Sequence, residues 1–454
     1  MKRLQSLTFD QAALGLAFVL LTLIGLVTLA GTQAGVLVTA DLTEADRSPF
    51  EPITLTFSTT VNKPDVESRF ALTPASDGQI EWLDAQTLRF VPLALQPDTA
   101  YELTLSPGKI GTDGEPLRRT RRWAFETRAT QVAYIYAAET KNELWTVDTA
   151  GEKAERLLEL EYSVFDFDVS PDGSFLVLSL FNAEKRLDLW RVDRDGNNLQ
   201  PLVDCGGGLC SAPAISPNGQ QVAYTREAPG ITPQSELSAA RIHLLDLSTG
   251  EDRPVFSDSQ TIGHTPLWSP DGAWLASFDS LDDTIRVVEI ASGRQVLLSS
   301  GLGNALAWSP DSTNLAYTAV EEGETGLHTV VMLADFTNGD IAYLIGQDDL
   351  VDYRYGSLAW SPSNAGKLIL GLRPDPESPP TGLWLIDPTL LEGKMIAEEE
   401  NFSYYAPRWD PWGQTVVFQQ FQLGTAYKSE IALWQTELSA PLVLAEGFSP
   451  HWLP

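Results

Sequence analysis

The distribution of hydrophobic and polar residues divides the chain into two unlike parts. No charged residue lies between Asp10 and Asp41, and the stretch from Ala12 to Ala30 is almost wholly apolar. Beyond this stretch, hydrophobic and polar residues alternate in short runs, a period of two that is typical of half-buried β-strands. The pattern therefore predicts one apolar segment followed by an all-β protein. At 454 residues, the chain is long enough for two or more domains.

The apolar segment is long enough to cross a bilayer as a helix. Lys2 and Arg3 precede it, with only Asp10 as a nearby acid. The positive-inside rule then places the N-terminus in the cytoplasm. We therefore predict a single-pass protein of the cell membrane, with cytoplasmic residues 1–11, a transmembrane signal-anchor at 12–34 and an extracytoplasmic remainder.

A cleaved signal peptide is the alternative interpretation of the apolar segment. Thr32-Gln33-Ala34 is similar to the small-residue cleavage site of such peptides. The apolar stretch, however, is longer than the usual ~7–15 residues of a signal-peptide core, which favours an uncleaved anchor. Both interpretations predict that the rest of the chain is exported from the cytoplasm.

Residues 35–128 are predicted to form a β-sandwich. From Ile53 to Phe57, apolar residues take every second position, and similar runs recur through the segment. Turn signals such as Asp77-Gly78 and Asp113-Gly114 separate these runs. Several short strands within about ninety residues are typical of an all-β sandwich.

Three stretches of this segment carry a family resemblance: PITLTFSTTV at residues 52–61, TLRFVPLALQPDTAYELTL at 87–105 and WAFET at 123–127. Together they resemble the bacterial Ig-like domain of the SbsA type. Within the second stretch, the approach to Tyr101 resembles the corner at which a tyrosine hydroxyl returns to the backbone a few residues upstream. Domains of this type are commonly spacers in exported proteins, so the resemblance implies a spacer role.

A basic cluster interrupts the otherwise acidic chain near the end of this segment. It consists of Arg118, Arg119, Arg121 and Arg122. One interpretation is a docking patch for anionic lipid headgroups or for the acidic C-terminal part of the chain. The other is a solvated strand edge that is guarded by charge, which we favour.

Residues 130–454 carry a repeat built on a Ser-Pro or Asp-Pro step, usually followed by Asp-Gly or a variant. Seven of these steps recur once per repeat, with successive prolines 39 to 53 residues apart, close to the ~40–50 residues of a propeller blade. Proline ends a strand because it cannot donate to a ladder, and glycine permits the positive φ of a tight turn. The residues assigned to these turns are Pro171, Asp172, Gly173, Pro217, Gly219, Pro270, Asp271, Gly272, Pro310, Asp311, Pro362, Pro411, Gly413 and Pro450.

Each repeat contains four predicted strands, which is one blade of a β-propeller. A tryptophan often precedes the step, and its recurrence at one position per repeat predicts packing between blades rather than a stacking platform for sugars. The tryptophans concerned are Trp268, Trp308, Trp360 and Trp409. Residues 132–160 lack a first strand, whereas 448–453 supply only a first strand. Joined, they complete a seventh blade and close the ring.

The W-S-P-D-G units resemble the TolB-type, WD40-like repeat of bacterial exported propellers. The resemblance extends over about 325 residues. TolB itself has six blades and an N-terminal α/β domain, whereas this chain has an apolar segment and a predicted sandwich. The resemblance therefore implies a propeller fold and export, without the partners of TolB.

Composition excludes one class of partner. The chain has 61 acidic and 30 basic residues, which give a formal charge of −31. Because phosphate binding needs concentrated Lys and Arg, we expect no nucleic-acid partner. Asp166, Asp168 and Asp172 could form a cation cluster, but the first two alternate along a strand and the third lies at a turn. We therefore predict no metal site, no cofactor and no catalytic residue.

The two cysteines of the chain are close in sequence. Cys205 and Cys210 enclose three glycines and a leucine. In an oxidising compartment, such a pair predicts a small disulfide-closed loop. A metal site is the other interpretation, but two thiols fall short of the usual four ligands.

A binding function is the best match to these features. No Gly-x-Ser-x-Gly motif follows the repeat, which argues against a propeller-gated hydrolase. We predict a non-enzymatic binding or scaffold protein that presents its propeller to a protein or glycan at the bacterial cell surface. The alternatives are a sensory ectodomain that works with a membrane partner and, behind it, a propeller glycosidase or lyase.

Overall fold

The computed structural model describes residues 20, 35–42, 46–93, 95–230, 236–258, 260–301, 305–323, 326–345, 354–363, 366–373, 381–388, 392–399, 401–424, 428–435, 438 and 440–454. These residues form two compact units, with the division between Arg128 and Ala129. Apart from Leu20, the predicted anchor at 12–34 lies outside the described residues. Within the described part of the chain, no helix has the length and apolar character needed to cross a membrane.

The first unit consists of two antiparallel sheets around one core. Its elements are β1 (Val38–Asp41), β2 (Ile53–Phe57), α1 (Lys63–Glu67), β3 (Phe70–Thr73), β4 (Gly78–Trp82), β5 (Thr87–Pro92), β6 (Ala100–Leu105), β7 (Gly108–Lys109), β8 (Pro116–Leu117) and β9 (Arg121–Glu126). One sheet has the order β1-β2-β5-β4 and the other β3-β6-β9, while β7 pairs with β8. The alternation predicted for β2 is present, since Ile53, Leu55 and Phe57 are buried in the shared core.

The tyrosine contact expected in this unit is present. The Gln96 backbone N–H donates to the Tyr101 hydroxyl at 2.9 Å, and the Tyr101 ring packs 5.5 Å from Phe125. The loop before β6 is thereby tied to the strand itself. This satisfies a backbone donor that the loop would otherwise leave without a partner.

The second unit is all-β. Its strands up to the middle of the unit are β10 (Gln131–Ala137), β11 (Asn142–Asp148), β12 (Ala154–Arg156), β13 (Val164–Val169), β14 (Phe175–Phe181), β15 (Leu187–Asp193), β16 (Gln200–Val203), β17 (Leu209–Ile215), β18 (Gln221–Glu227), β19 (Arg241–Asp246), β20 (Asp252–Pro254), β21 (His264–Trp268), β22 (Trp274–Asp279), β23 (Thr284–Glu289) and β24 (Gln295–Ser299). The remaining strands are β25 (Leu306–Trp308), β26 (Asn314–Gly323), β27 (Gly326–Asp335), β28 (Ile341–Ile345), β29 (Arg354–Trp360), β30 (Leu368–Arg373), β31 (Gly382–Asp387), β32 (Glu392–Ala397), β33 (Phe402–Trp409), β34 (Thr415–Gln422), β35 (Ser429–Gln435), β36 (Leu442–Glu446) and β37 (Phe448–Leu453).

These strands pair in antiparallel groups of four consecutive strands, such as β21-β22-β23-β24 and β33-β34-β35-β36. The groups that begin with β13 and β17 are linked into one larger sheet by a parallel bridge between Leu187 and Leu209. First strands of successive groups contact each other, as β13 does with β17 and β37, and β33 with β29 and β37. The first strands therefore form the innermost layer of this unit.

The last strand completes the sheet of the first three. β37 pairs with β10, with Leu453 opposite Gln131 and Trp452 opposite Val132. The sheet order β12-β11-β10-β37 thus combines strands from both ends of the unit, as the repeat pattern predicts. Trp452 and Leu453 are buried there.

The repeated Ser-Pro-Asp-Gly step forms a turn held by its own side chains. Ser170 Oγ donates to Asp172 Oδ1 at 2.8 Å and accepts from the Phe175 N–H at 3.0 Å. The Gly173 N–H donates to the Ser170 carbonyl at 2.8 Å, and Gly173 has φ +65°. The turns that begin at Ser216, Ser269 and Ser309 have the same arrangement. Buried hydroxyls with both partners satisfied explain why the step recurs.

Pro450 does not lie at such a turn. It is inside β37, and the residue before it, Ser449, has φ +54°. Ala212, Thr265 and Ala406 also precede prolines inside first strands and have φ +49°, +52° and +49°, so these are bulge prolines. The repeat therefore contains two kinds of proline, and their spacing in sequence does not distinguish them.

Hydrogen bonds of the tryptophans identify which proline near residue 454 corresponds to the turn prolines of the other repeats. Trp409 Nε1 donates to the Ala359 carbonyl at 3.1 Å, and Trp268 Nε1 to the Ala214 carbonyl at 3.0 Å. Trp452 Nε1 makes the equivalent bond to the Arg408 carbonyl at 2.9 Å. The proline that corresponds to the turn prolines is therefore the one two residues after Trp452, at position 454. These bonds between neighbouring sheets also place Trp268, Trp409 and Trp452 between blades.

Cys205 and Cys210 form a disulfide in a buried position, with 6.1 Å between their Cα atoms. Gly206 and Gly207 have φ +60° and +85°, which lets the six-residue ring close. The ring begins after β16 and ends at Cys210, within β17.

We expect loss of this disulfide to destabilise the protein by about 2 kcal/mol, because a ring of this size removes little entropy from the unfolded chain. The Cys205→Ala/Cys210→Ala double variant and the wild type should be compared by urea unfolding, each with and without reductant. Reductant should lower the midpoint of the wild type only. Two free thiols in freshly purified wild-type protein would contradict the pairing.

Candidate functional site

One equivalent position on the first strands differs sharply between the sheets. It is the position immediately before the interblade tryptophan, or before Val169 or Ile215 where these replace the tryptophan. We call these residues the inner ring; they are Asp168, Ala214, Leu267, Ala307, Ala359, Arg408 and His451. Four consecutive members are aliphatic, and the three polar members belong to β33, β37 and β13, of which β37 contacts the other two. The polar half of the inner ring is the candidate functional site.

His451 and Asp168 lie side by side in the polar half. His451 Nε2 is 3.8 Å from Asp168 Oδ1, and the His451 ring packs 4.5 Å from the Phe167 ring. Nδ1 of His451 lies 3.2 Å from the Ser449 carbonyl, so in the neutral ring the proton belongs on Nδ1. Nε2 is then left as an acceptor that faces Asp168. Asp168 Oδ2 accepts the Ile215 N–H of the next sheet at 2.7 Å.

Burial controls the ionisation of these groups. It raises the pKa of Asp166 to about 6, although the Phe167 N–H and Arg408 oppose the shift. It raises the pKa of Asp168 in the same way, against the Ile215 N–H and Arg408. Burial, reinforced by the positive charge of Arg408, lowers the pKa of His451 well below its usual value. His451 is therefore neutral at pH 7.

Arg408 is surrounded by protein groups and is also exposed to solvent. Its side chain is solvent-exposed, yet desolvation by the surrounding protein is the largest influence on its pKa and lowers it. Attraction to Asp168 and Asp166 opposes that shift. Arg408 belongs to a first strand, β33, and the innermost layer of a propeller surrounds a central channel.

The guanidinium of Arg408 makes no hydrogen bond or ion pair within the described part of the chain. Its five N–H donors lie near the carboxylates of Asp166 and Asp168, which also keep acceptor capacity. A cluster of this kind can bind a ligand that both donates and accepts hydrogen bonds.

A second polar cluster, around Asp252, differs from the polar half of the inner ring because its charges are paired within the protein. Asp252 accepts from the Tyr224 hydroxyl at 2.9 Å, pairs with Arg226 at 2.8 Å and contacts His243 at 3.1 Å. Burial opposes ionisation of Asp252, but the hydrogen bonds from His243 and Tyr224 and the charge of Arg226 together lower its pKa. The carboxylate is satisfied by its neighbours across β18, β19 and β20. This cluster stabilises the sheet and leaves little capacity for a ligand.

Exposed aromatic residues lie at one end of the same first strands. Phe165 is 48% exposed and packs 5.9 Å from Phe181, while Tyr405 is 39% exposed and stacks 5.1 Å from Phe421, with 1° between the rings. We call these four residues the aromatic rim. Phe165 is near the start of β13 and Tyr405 lies in the first half of β33, and their partners are near the ends of β14 and β34. The rim therefore lies at the end of the propeller where first strands begin.

The residues predicted from sequence occupy other places. The turns of the repeat lie at the opposite end, where the first strands finish, and Asp172 is bound there by Ser170 and Ser174, apart from Asp166 and Asp168. The disulfide loop lies before β17, on the same end as the aromatic rim. The basic cluster belongs to the first unit. Its four arginines are exposed, and Arg121 and Arg122 lie on β9 at the edge of its sheet, as the strand-edge interpretation expects.

The sequence pattern pointed to Asp166 and Asp168 but not to Arg408 and His451. A usable signal is present: when the repeats are aligned on the tryptophan, the preceding column contains mainly alanine and leucine. Arg408, His451 and Asp168 are the exceptions in that column. The spacing of the prolines conceals this, because it assigns Pro450 to the turn.

Asp166 should make stability depend on pH. Its folded-state pKa of about 6 exceeds the ~3.9 of an unfolded aspartate, so the folded state holds more protons between about pH 4 and 6. The contribution of this group to stability therefore falls as the pH rises through that window. Asp166→Asn removes the fall, and the variant should gain up to about 3 kcal/mol relative to wild type between pH 4 and 7. Urea unfolding at each pH measures this, and a difference that does not vary with pH would contradict it.

The sequence similarity between this chain and known proteins is distant. No protein-family model matches the chain. A stretch of 150 residues is 25% identical to dipeptidyl-peptidase 5 of Porphyromonas gingivalis and covers 30% of this chain and 21% of that protein. The chain thus spans about a fifth of the length of this curated relative.

Solved structures with a similar fold include a peptidase and a TolB protein. A puromycin-hydrolysing peptidase of Mycobacterium tuberculosis has a TM-score of 0.51 at 15% identity, covering 90% of this chain and 57% of that chain. TolB of Acinetobacter baumannii has a TM-score of 0.44 at 16% identity, covering 85% and 83%. At these identities the likeness to the peptidase shows the fold alone. The predicted all-β class and β-propeller are confirmed.

Proposed function

We propose that this chain is a membrane-anchored, extracytoplasmic binding protein without enzymatic activity. In this proposal, residues 12–34 anchor it in the cell membrane and residues 35–128 are an SbsA-type Ig-like spacer. Residues 130–454 are a closed ring of seven blades that holds a ligand in its channel. The observation that carries the proposal is the guanidinium of Arg408, which is unpaired among the described residues and lies near the carboxylates of Asp166 and Asp168.

The channel cluster supports binding because its charges are not satisfied by the protein. A buried ion pair that only stabilises a fold is normally closed and hydrogen-bonded, as Arg226 and Asp252 are at 2.8 Å. Arg408 and the two aspartates attract each other without direct contact. Free donors and acceptors facing one enclosed space are typical of ligand sites.

The proposed location can be tested in intact cells. Protease added to spheroplasts should digest the propeller, because everything after about Gly35 lies outside the cytoplasmic membrane in this proposal. Antibody detection of the C-terminal part, before and after lysis, measures the digestion. Protection until lysis would refute the extracytoplasmic location.

The proposed absence of catalysis needs its own test. The full-length protein in detergent should show no turnover of peptide, ester or glycoside panels, and Asp166→Asn should leave that result unchanged. Turnover that is lost in Asp166→Asn would replace the binding function by hydrolase or lyase chemistry, because two carboxylates with one raised pKa can serve as acid and base.

A further inference from the structure

We propose that the polar half of the inner ring and the aromatic rim together bind a neutral carbohydrate. This inference rests on the proposed binding function and names the class of ligand. The same sheets supply both parts: Arg408 and Tyr405 come from β33, and Asp168 and Phe165 come from β13. His451, on β37, lies between them in the inner ring.

Charge is the first argument for a neutral ligand. A cation that approached Asp166 and Asp168 would be repelled by Arg408, and an anion that approached Arg408 would be repelled by the two carboxylates. Sugar hydroxyls carry no charge and act as donor and acceptor at once. One hydroxyl can accept from Arg408 while its neighbour donates to a carboxylate, and His451 Nε2 adds a neutral acceptor.

The aromatic rim is the second argument. Tyr405 and Phe421 are stacked with parallel planes, with 1° between their rings and 5.1 Å between centroids, so Phe421 supports the flat ring of Tyr405. Tyr405 is 39% exposed, although burial of aromatic rings is normally favourable. The C–H face of a sugar ring is also flat and apolar, and stacking it here removes both surfaces from water.

Phe165 and Tyr405 of the aromatic rim are exposed, whereas the interblade tryptophans Trp268 and Trp452 are buried. Trp268 and Trp452 are buried and donate Nε1 to carbonyls of the neighbouring sheet. They stabilise the blades and are not available to a ligand. Phe165 and Tyr405 are exposed at the end of the strands that continue to Asp168 and Arg408. Exposed rings above a channel with unsatisfied polar groups form a gradient from apolar rim to polar floor.

The test uses the full-length protein in detergent and fluorescently labelled neutral hexasaccharides of the malto-, cello-, laminari- and chito-series. Binding is measured by titration for wild type and three variants. Arg408→Met removes the guanidinium donors, and Tyr405→Ala removes the exposed ring of the aromatic rim. Tyr343→Ala is the matched control, because Tyr343 is a 37% exposed aromatic residue on the outer strand β28. Melting temperatures establish that each variant is folded.

We expect at least one hexasaccharide to bind wild type saturably. Arg408→Met should weaken its binding about tenfold or more, because hydrogen bonds to a charged group are lost. Tyr405→Ala should weaken it about three- to tenfold, and Tyr343→Ala should change it less than twofold.

Two results would overturn the inference. One is no binding by any neutral series; the other is binding that Arg408→Met and Tyr405→Ala leave unchanged. A parallel titration with labelled hexapeptides and uronic-acid hexasaccharides separates this failure from failure of the proposed function. If a charged probe bound in an Arg408-dependent manner, the binding function would stand and the assignment of a neutral carbohydrate as the ligand would be wrong. If turnover were found instead, the binding function itself would fail.

Discussion

Deletion of residues 448–454 is expected to lower the melting temperature of the propeller by at least about 10 °C or to make it aggregate. The deletion removes β37, which pairs with β10 and completes the sheet β12-β11-β10-β37. It also removes Trp452 and Leu453 from the core, each worth about 2–3 kcal/mol of burial. The exposed edge of β10 would then be open to pairing with other chains.

The ends of the unit are joined by more than this strand pairing. Arg194 donates to the Pro454 carbonyl at 2.6 Å, to the Gly173 carbonyl at 3.4 Å and to the Ala129 carbonyl at 3.3 Å. One guanidinium therefore links the first and last residues of the unit to the turn of the next sheet. Deletion leaves Arg194 without the Pro454 acceptor, which adds to the loss of stability.

Differential scanning calorimetry measures the effect of the deletion, and two controls define its cause. Trp452→Phe keeps an aromatic ring but loses the donor to the Arg408 carbonyl, so it should cost only about 1–2 kcal/mol. A synthetic peptide of residues 448–454, added in excess, should recover part of the lost stability because it can pair with β10. An unchanged melting temperature after deletion would refute closure by β37.

Gly173→Ala is expected to destabilise the protein by at least about 2 kcal/mol more than Gly219→Ala. The two glycines occupy equivalent turns, with φ +65° and +69°, so alanine meets the same backbone strain of about 1–2 kcal/mol at both. The surroundings differ: a Cβ on Gly173 would meet the Pro454 carbonyl oxygen, while a Cβ on Gly219 has nothing within 4 Å. The pair therefore isolates the contact between the last strand and the next turn.

Urea unfolding of the two alanine variants provides the measurement. The excess cost arises because a backbone carbonyl cannot rotate away as a flexible side chain can, so either β37 or the turn must shift. Combined with the deletion of 448–454, Gly173→Ala should cost no more than Gly219→Ala. Equal costs in the intact protein would show that Pro454 does not rest on this turn.

Much of the fold could be predicted because its signals are local. Alternation at Ile53, Leu55 and Phe57 predicted a strand, since a half-buried strand places every second side chain in the core. The Ser-Pro-Asp-Gly repeat predicted the turns, and Ser170 shows why: its hydroxyl satisfies groups only two and five residues away. Cys205 and Cys210 are also near neighbours in the chain. The short helix α1 carries no such signal, because it spans little more than one turn and shows no helical periodicity.

The candidate site could not be predicted in the same way. Asp168 and Arg408 are 240 residues apart, and neither stands out within its own repeat. Pro450 and Pro411 both follow the pattern of a motif proline, yet one lies in a bulge and the other in a turn. Only the pairing of each strand with its neighbour separates these two positions.

The sequence by itself determined the all-β class, the repeat and its turns, because these depend on side-chain periodicity and on hydrogen bonds within a few residues. The tertiary structure alone decided which blade each end completes and which side chains meet at the centre. Packing of the first strands against one another brings the same position of distant repeats together, so Arg408, His451 and Asp168 lie close to one another. Burial there, rather than any local motif, raises the pKa of Asp166 and lowers the pKa of Arg408.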